Sequence, residues 1–276
     1  MNHPKVDIES FAFAAQQAAI KAGQILREGF YTEIKTTSKS SRHDVVTIFD
    51  TKSEECIFSI LQEAFPSHVC MGEESGLKTD PTGKVVWIID PLDGTLNFSR
   101  QLPIFTISIA AVYDHEVLCG VIYQPMTDEL FVAKKELGAF LNGKRIHVSQ
   151  TKEVLHGIYA IGFPYIDLGE SPKNVDYCFD LLNQGTPIRN IGSGALNMAY
   201  LAAGRFDGFW IPSLYSWDMA AGLLMIEEAG GKVTRQDGRC FEQLVMTDPL
   251  DILATNGHLH EELLNSLKNI QSKYSN

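Results

Sequence analysis

The stretch Trp87-Ile88-Ile89-Asp90-Pro91-Leu92-Asp93-Gly94-Thr95-Leu96-Asn97-Phe98 places two carboxylates three residues apart directly behind an apolar, β-favouring run from Val85 to Ile89. Such a run suits a strand buried on both faces, and α/β sheets build their sites at the carboxyl ends of such strands. The spacing predicts a strand that ends at Ile89 and a tight turn that brings the acids together. Two bare carboxylates about 4 Å apart repel by several kcal/mol at a surface-like dielectric, so protons or cations must accompany them. A divalent metal meets that need. An all-oxygen donor set of carboxylates and a turn carbonyl, such as that of Leu92, suits hard Mg²⁺ better than zinc. Pro91 fixes φ, and Gly94 lets the chain fold back closely around a ligand. Asp-x-x-Asp-Gly is also a common turn, and taken alone the pattern leaves both readings open.

Three further acids stand at element boundaries. Glu73, in Gly72-Glu73-Glu74-Ser75-Gly76, follows the short apolar run Val69–Met71. Asp218, in Trp217-Asp218-Met219-Ala220-Ala221-Gly222, opens a helix whose next turn is small enough to lie tightly on a sheet. Asp50 falls in the first turn of a helical period that continues to Phe65. Each has a plainer alternative: a solvated turn for Glu73 and Glu74, an N-cap for Asp218, a first-turn acid complementing the helix dipole for Asp50.

The elements that must position these acids divide the chain in two. Ile8, Phe11, Ala15, Ala18, Ala19, Ala22, Ile25 and Leu26 recur at helical spacing and predict a helix from Ile8 to Phe30. The polar run from Thr36 to Asp44 reads as a mobile loop, with Lys39 in it either closing over a site or, as the plainer reading, solvated. Short strands are expected at Val69–Met71, Val85–Ile89, Ile104–Tyr113, Val117–Tyr123, Leu130–Ala133 and Ala139–Leu141, a largely antiparallel set. From about Thr151 strands and helices alternate: strands Gly157–Ile161, Pro187–Ile191, Phe206–Ile211 and Ile252–Thr255, helices Asn174–Asn183, Ala195–Ala203, Trp217–Ala229 and His260–Ile270. That alternation marks an α/β layer. A soft boundary near Val148 divides an α+β part, 1–148, from an α/β part, 149–276.

Composition removes several function classes. The 276 residues, 45% hydrophobic, are ample for a large core. The net charge of −11, with no dense cluster of Lys and Arg, argues against nucleic acid as the main ligand. No apolar run reaches the roughly 20 residues that a membrane span needs. Met1–Asp7 carries no signal-peptide core, which makes the cytoplasm the expected address. The five scattered cysteines form no Cys-x-x-Cys pair and read as reduced, mostly core thiols. The histidines lack metal-ligand spacing, and His258 and His260 read as a solvated helix cap.

Gly72-Glu73-Glu74-Ser75, Asp90-Pro91-Leu92-Asp93-Gly94-Thr95-Leu96-Asn97-Phe98 and Trp217-Asp218-Met219-Ala220-Ala221-Gly222 together resemble the signature set of the inositol monophosphatase family of Mg²⁺-dependent, lithium-sensitive phosphatases. The resemblance runs from about Ala12 to Leu264 and includes Asp44–Asp50 and Gly192–Met198. It implies a layered αβαβα sandwich and a homodimer. It also implies two or three Mg²⁺: Glu73, Asp90 and the Leu92 carbonyl on the first, Asp90, Asp93 and Asp218 on the second, and a weaker third near Glu73. Glu73 and the dyad Thr95–Asp50 become the expected catalytic groups, the dyad aiming the water, although Thr95 capping the short helix behind the turn is the alternative. The N–H groups of Gly94 and Thr95 would face the phosphate.

Substrate contacts are expected from Asp93, Gly94, Thr95, Asp218 and the turn Gly192-Ser193-Gly194-Ala195, where Gly194 also reads as a packing glycine. Ile211 departs from the pattern, because many family members carry a glutamate there that hydrogen-bonds a ring hydroxyl. Inositol-1-phosphate or a similar polyol or sugar monophosphate is the first expectation. Fructose-1,6-bisphosphatase, histidinol-phosphatase and nucleotide phosphatase activities share the metal motifs and remain alternatives, as does a regulatory binding protein on this fold.

Overall fold

Amphipathic helices and alternating strands need partners for their apolar faces, and this chain supplies them by stacking layers. The computed structural model describes residues 7–39, 44–163, 175–241, 244 and 248–273. Its first part runs α1 (Ile8–Phe30), β1 (Thr36–Ser38), β2 (Val45–Thr47), α2 (Ile48–Ala64), β3 (Val69–Gly72), β4 (Gly76–Leu77), β5 (Val86–Asp93), α3 (Thr95–Ser99), β6 (Thr106–Tyr113), β7 (Glu116–Gln124), β8 (Glu129–Lys134), β9 (Gly138–Leu141) and β10 (Lys144–Arg145). The rest runs β11 (Tyr159–Ile161), α4 (Val175–Asn183), β12 (Ile188–Arg189), α5 (Gly194–Ala202), β13 (Gly208–Leu214), α6 (Ser216–Glu228), β14 (Lys232–Thr234), β15 (Leu250–Thr255) and α7 (His260–Lys273).

The larger sheet has the order β10-β9-β8-β7-β6-β5-β3-β4, antiparallel except for the pair β3 and β5. The smaller has the order β12-β11-β13-β15-β14. In it β11 is parallel to both neighbours, and β15 is antiparallel to both of its own.

Alternation along the strands decides what each sheet face meets. Trp87 and Ile89 of β5 join Ala18, Leu26 and Ile57 of α1 and α2 in one core cluster. Val86 and Ile88 face the other way, into a cluster with Met198 of α5, Met219 of α6 and Phe209 of β13. Trp210, one residue on, points to the far side of the smaller sheet and packs with Tyr177 of α4 and Leu263 of α7. The layers are therefore helix, sheet, helix, sheet, helix, the sandwich expected. Gly120 shows how tightly they close: a Cβ there would lie 2.8 Å from the Ala221 Cα, so only glycine lets α6 lie on β7.

Several expectations need correction. Strand β5 does not stop at Ile89 but carries both acids, pairing with β6 as far as Asp93. Within the expected loop, Thr36–Ser38 pairs antiparallel with Val45–Thr47. β-branched threonines favour such a pairing even on an exposed edge; residues 40–43 of that loop, and Asn174 at the expected start of α4, lie outside the described residues. His260 is buried rather than solvated, its Nε2 3.0 Å from Thr234 Oγ1 and its Nδ1 3.1 Å from Thr255 Oγ1. Burial pushes its pKa down to about 4. Among the described residues no helix is long and apolar enough to cross a membrane.

Candidate active site

Residues three apart on a regular strand point to opposite faces. Asp90 and Asp93 escape this because β5 carries one extra residue between its pairings Asp90 with Ser108 and Asp93 with Thr106. That bulge re-aims the second acid to the side of the first. It is pinned from two directions: Ser53 Oγ of α2 donates to the Pro91 carbonyl at 2.7 Å, and the Leu92 N–H donates to Asp90 Oδ1 at 2.9 Å.

Asp218 arrives from the other half of the chain. It is the third residue of α6 rather than its N-cap, and its Oδ2 accepts the Tyr215 N–H at 3.1 Å. Asp90, Asp93 and Asp218 each direct one carboxylate oxygen into a common space, those oxygens all lying within 4.8 Å of one another. Burial raises the pKa of all three; Glu73, Asp218 and Asp93 raise that of Asp90 further, and Asp93 does the same to Asp218. Converging, largely buried oxygens whose charge is this unfavourable fit a hard divalent cation and offer nothing to a thiolate-seeking metal.

Asp93 is the best supported of the trio. Its carboxylate accepts the Ser193 hydroxyl, the N–H groups of Gly194 (3.2 Å) and Ala195 (2.8 Å), and Thr106 Oγ1 at 3.2 Å. Ser193 is also the N-cap of α5, accepting the Leu196 N–H at 3.2 Å. The turn 192–195 thus reaches across from the second sheet to hold an acid of the first. Asn97 fastens it, donating to the carbonyls of Ile104 and Ile191, both at 2.8 Å.

Glu73 lines the same cavity but stands outside the trio, its carboxylate turned to Lys39. The Lys39 ammonium lies 2.8 Å from Glu73 Oε1 and also bonds Glu74, a correction to its expected solvated state. Burial disfavours that ammonium, yet Glu73 and Glu74 outweigh it and hold its pKa above the usual lysine range. Glu54, buried on α2, accepts the Glu74 N–H at 3.1 Å and so fixes this loop.

Asp50 divides its two carboxylate oxygens between two threonines. Its Oδ2 accepts the Thr47 N–H (2.8 Å) and hydroxyl (2.6 Å) as a capping box, while Oδ1 lies 3.0 Å from Thr95 Oγ1. Burial, opposed by the Thr47 bonds and assisted by Glu74 and Glu73, lifts its pKa to about 7. Gly94 precedes α3 with φ 97°, where a Cβ would meet the Ile104 carbonyl at 3.0 Å and the Gly192 carbonyl at 3.3 Å.

Asp90, Asp93, Asp218, Glu73, Lys39 and Gly94 border a cavity of about 360 Å³, which Thr95, Gly192, Ser193 and Ile211 also line, while Asp50 stands behind Thr95. Ser53, Glu54 and Thr106 are positioning residues that the sequence did not single out, whereas Asn97 stood in the Asp90–Phe98 motif with no positioning role assigned to it. The only signal for them was a polar side chain of buried character, which needs the packing partners to be read.

A layered α/β sandwich with three carboxylates converging at a strand bulge defines the class of fold and site. The model of the inositol monophosphatase family matches residues 7–272, and the chain belongs to that family as a phosphatase of this type. The inositol-1-monophosphatase of Mesorhizobium japonicum is 37% identical over 254 residues, covering 91% of this chain and 94% of its own. The Nus factor SuhB of Escherichia coli K12 is 35% identical over 271 residues, 96% and 99% of the two chains. The solved inositol monophosphatase of Anabaena superposes with a TM-score of 0.83 at 36% identity, covering 96% and 97%.

Proposed function

We propose that the chain is a Mg²⁺-dependent phosphomonoesterase that hydrolyses inositol-1-phosphate or a related small polyol or sugar monophosphate with water as the nucleophile. The observation that carries this is the convergence of Asp90, Asp93 and Asp218 within 4.8 Å in the cavity. Asp90, Asp93 and Asp218 would hold one Mg²⁺, and Glu73, Asp90 and the Leu92 carbonyl would serve another; a third, weaker ion would draw on Glu73. Such ions supply Lewis acidity, easing ionisation of the attacking water and stabilising the leaving oxygen.

Everything else falls to the chain's own groups. Asp50 accepts the Thr95 hydroxyl proton, which leaves a Thr95 lone pair to orient the water. The N–H groups of Gly94 and Thr95 face the phosphate oxygens. Ser193, Gly194 and Ala195 hold Asp93 and, with Gly192, border the alcohol. The water oxygen forms a P–O bond as the bond from phosphorus to the alcohol oxygen breaks; one water proton stays on the phosphate product, the other passes to solvent, and the leaving oxygen takes a proton from solvent to become the alcohol. Such a reaction depends on positioning and charge stabilisation, so no enzyme nucleophile is needed. The part before residue 149 supplies most metal ligands, and the part after it supplies Asp218 and the specificity residues. A homodimer in the cytoplasm completes the proposal.

The test is phosphate release with Mg²⁺ from a panel of inositol, sugar, histidinol and nucleotide monophosphates, with Asp93→Asn as control. Release that the control abolishes supports the proposal. Failure with the whole panel turns attention to a binding role, which the Nus factor name of the Escherichia coli relative favours.

A further inference from the structure

The cavity walls are of two chemical kinds. The carboxylates come from the turn after β3, from β5 and from the start of α6; a second wall, from β13, the segment after β11 and Trp217 of α6, presents Phe163, Ile211 and Leu214, with the fully buried Phe209 behind them. Phe209 and Ile211 lie two residues apart on one strand, hence on one face, and both belong to the core cluster on that face. The Ile211 side chain packs over Gly162, where a Cβ would come within 2.4 Å of its Cδ1. Its own carbonyl accepts the Gln236 side chain at 2.9 Å, which fixes the backbone beneath it.

Leu214 brings the apolar wall up to the acids, since a Cβ on Gly194 would meet Leu214 Cδ1 at 2.9 Å and Asp218 Cβ at 3.7 Å. Tyr215 and Trp217 are stacked, their ring centroids 4.7 Å apart and nearly parallel at 6°. Among the described residues, the polar groups on this wall are Ser213, the Tyr215 hydroxyl and Asn190, whose Oδ1 accepts the Gly192 N–H at 3.2 Å. The donors of the 193–195 turn are likewise directed at Asp93.

From this we infer that the site selects monophosphates whose alcohol turns a hydroxyl-free, apolar edge toward Ile211 and Phe163. The inference rests on the phosphatase proposal above and narrows its substrate class. A hydroxyl pressed onto the Ile211 side chain gives up its water without a replacement partner there, a cost that an apolar edge avoids. Inositol carries a hydroxyl on every ring carbon, so every edge of its ring is polar. Hydrolysis itself is unchanged; only the alcohol that leaves differs.

The experiment compares inositol-1-phosphate, cyclohexyl phosphate and glycerol-2-phosphate, all with Mg²⁺, on the parent protein and on Ile211→Glu. Cyclohexyl phosphate keeps the six-membered ring and removes the other hydroxyls. The parent is expected to show a lower KM for cyclohexyl than for inositol phosphate. Ile211→Glu should shift the ratio of their kcat/KM values toward inositol phosphate by about 10-fold or more. That double ratio cancels the intrinsic difference in leaving groups, which a purely structural role for Ile211 would not move. A lower parent KM for inositol phosphate, or a folded Ile211→Glu protein with an unchanged ratio, overturns the inference while leaving phosphatase activity in place. Should Ile211→Glu fail to fold, the parent KM values decide alone. Release from none of the three esters removes the phosphatase proposal and this inference together.

Discussion

Thr95 Oγ1 stands 3.0 Å from Asp50 Oδ1 and 2.9 Å from the Leu92 carbonyl, so a single hydroxyl proton has two acceptors within reach. Engagement of the Leu92 carbonyl by a cation would leave Asp50 as the acceptor, aligning the threonine oxygen for water at the moment the site is loaded. Thr95→Ala should therefore lower kcat by roughly 10²- to 10⁴-fold, with little change in Mg²⁺ affinity, and Thr95→Ser should retain most of the rate. Steady-state kinetics beside a Mg²⁺ titration separates the two quantities. A collapse of metal affinity in Thr95→Ala would show that Thr95 builds the metal site rather than aiming the water.

The acid limb of the rate profile follows from the same dyad. Asp50 must be ionised to accept from both Thr47 and Thr95, and its pKa is lifted to about 7, chiefly by burial with Glu74 and Glu73 contributing. As pH falls through about 7 at low Mg²⁺, kcat should fall with it. Added Mg²⁺ offsets the negative charge around Asp50, so the limb should move to lower pH. Profiles of kcat at two Mg²⁺ concentrations test this, and a limb that stays fixed would sink it. Asp50→Asn should remove the limb along with most of the activity.

Asp90, Asp93 and Asp218 face a penalty for being charged while buried, and a bound cation relieves it. Mg²⁺ should accordingly raise the Tm of the folded protein, by an amount that corresponds to about 2.7 kcal/mol at 100-fold the Kd. Asp93→Asn should abolish turnover and leave a folded protein whose Tm rises less with Mg²⁺ than the parent's. Near-normal turnover in that variant would refute the ligand assignment. Li⁺, competing for an oxygen site of this kind, should inhibit at millimolar concentration, and complete insensitivity would count against the arrangement.

Much of this was legible in the sequence where a local rule suffices. The Ala- and Ile-rich stripe of α1 gave its limits residue for residue, because nothing tertiary competes with so strong a helical period. The bulge of β5 was not legible: Asp-Pro-Leu-Asp reads as a turn by residue type, and only pairing with Thr106 and Ser108 keeps it in the sheet. Ser53 and Glu54 look like ordinary polar helix residues, and their service to Pro91 and Glu74 exists only once α2 lies on β5 and β3. His260 misled for the same reason, since its two threonine partners come from β14 and β15. The acids of the site were readable as types at boundaries, whereas the residues that hold them depend on contacts between distant segments.

Lys39 supplies the last test. Its ammonium lies 2.8 Å from Glu73 Oε1, on the carboxylate assigned to one of the Mg²⁺ ions, so ammonium and metal compete for the same negative charge. The pair is partly exposed, with side chains 25% and 21% accessible, and such pairs contribute at most about 1 kcal/mol, equivalent to ~2- to 5-fold in affinity. Lys39→Gln should tighten Mg²⁺ binding by roughly that factor, and Lys39→Arg, which keeps the charge, should not. Because the claim concerns binding, the measurement is calorimetric titration of the substrate-free protein, where the catalytic step plays no part. Glu73→Gln removes the shared ligand, so on that background the effect of Lys39→Gln should shrink. Weaker Mg²⁺ binding by Lys39→Gln would mean that the lysine supports the loaded site instead of competing with it.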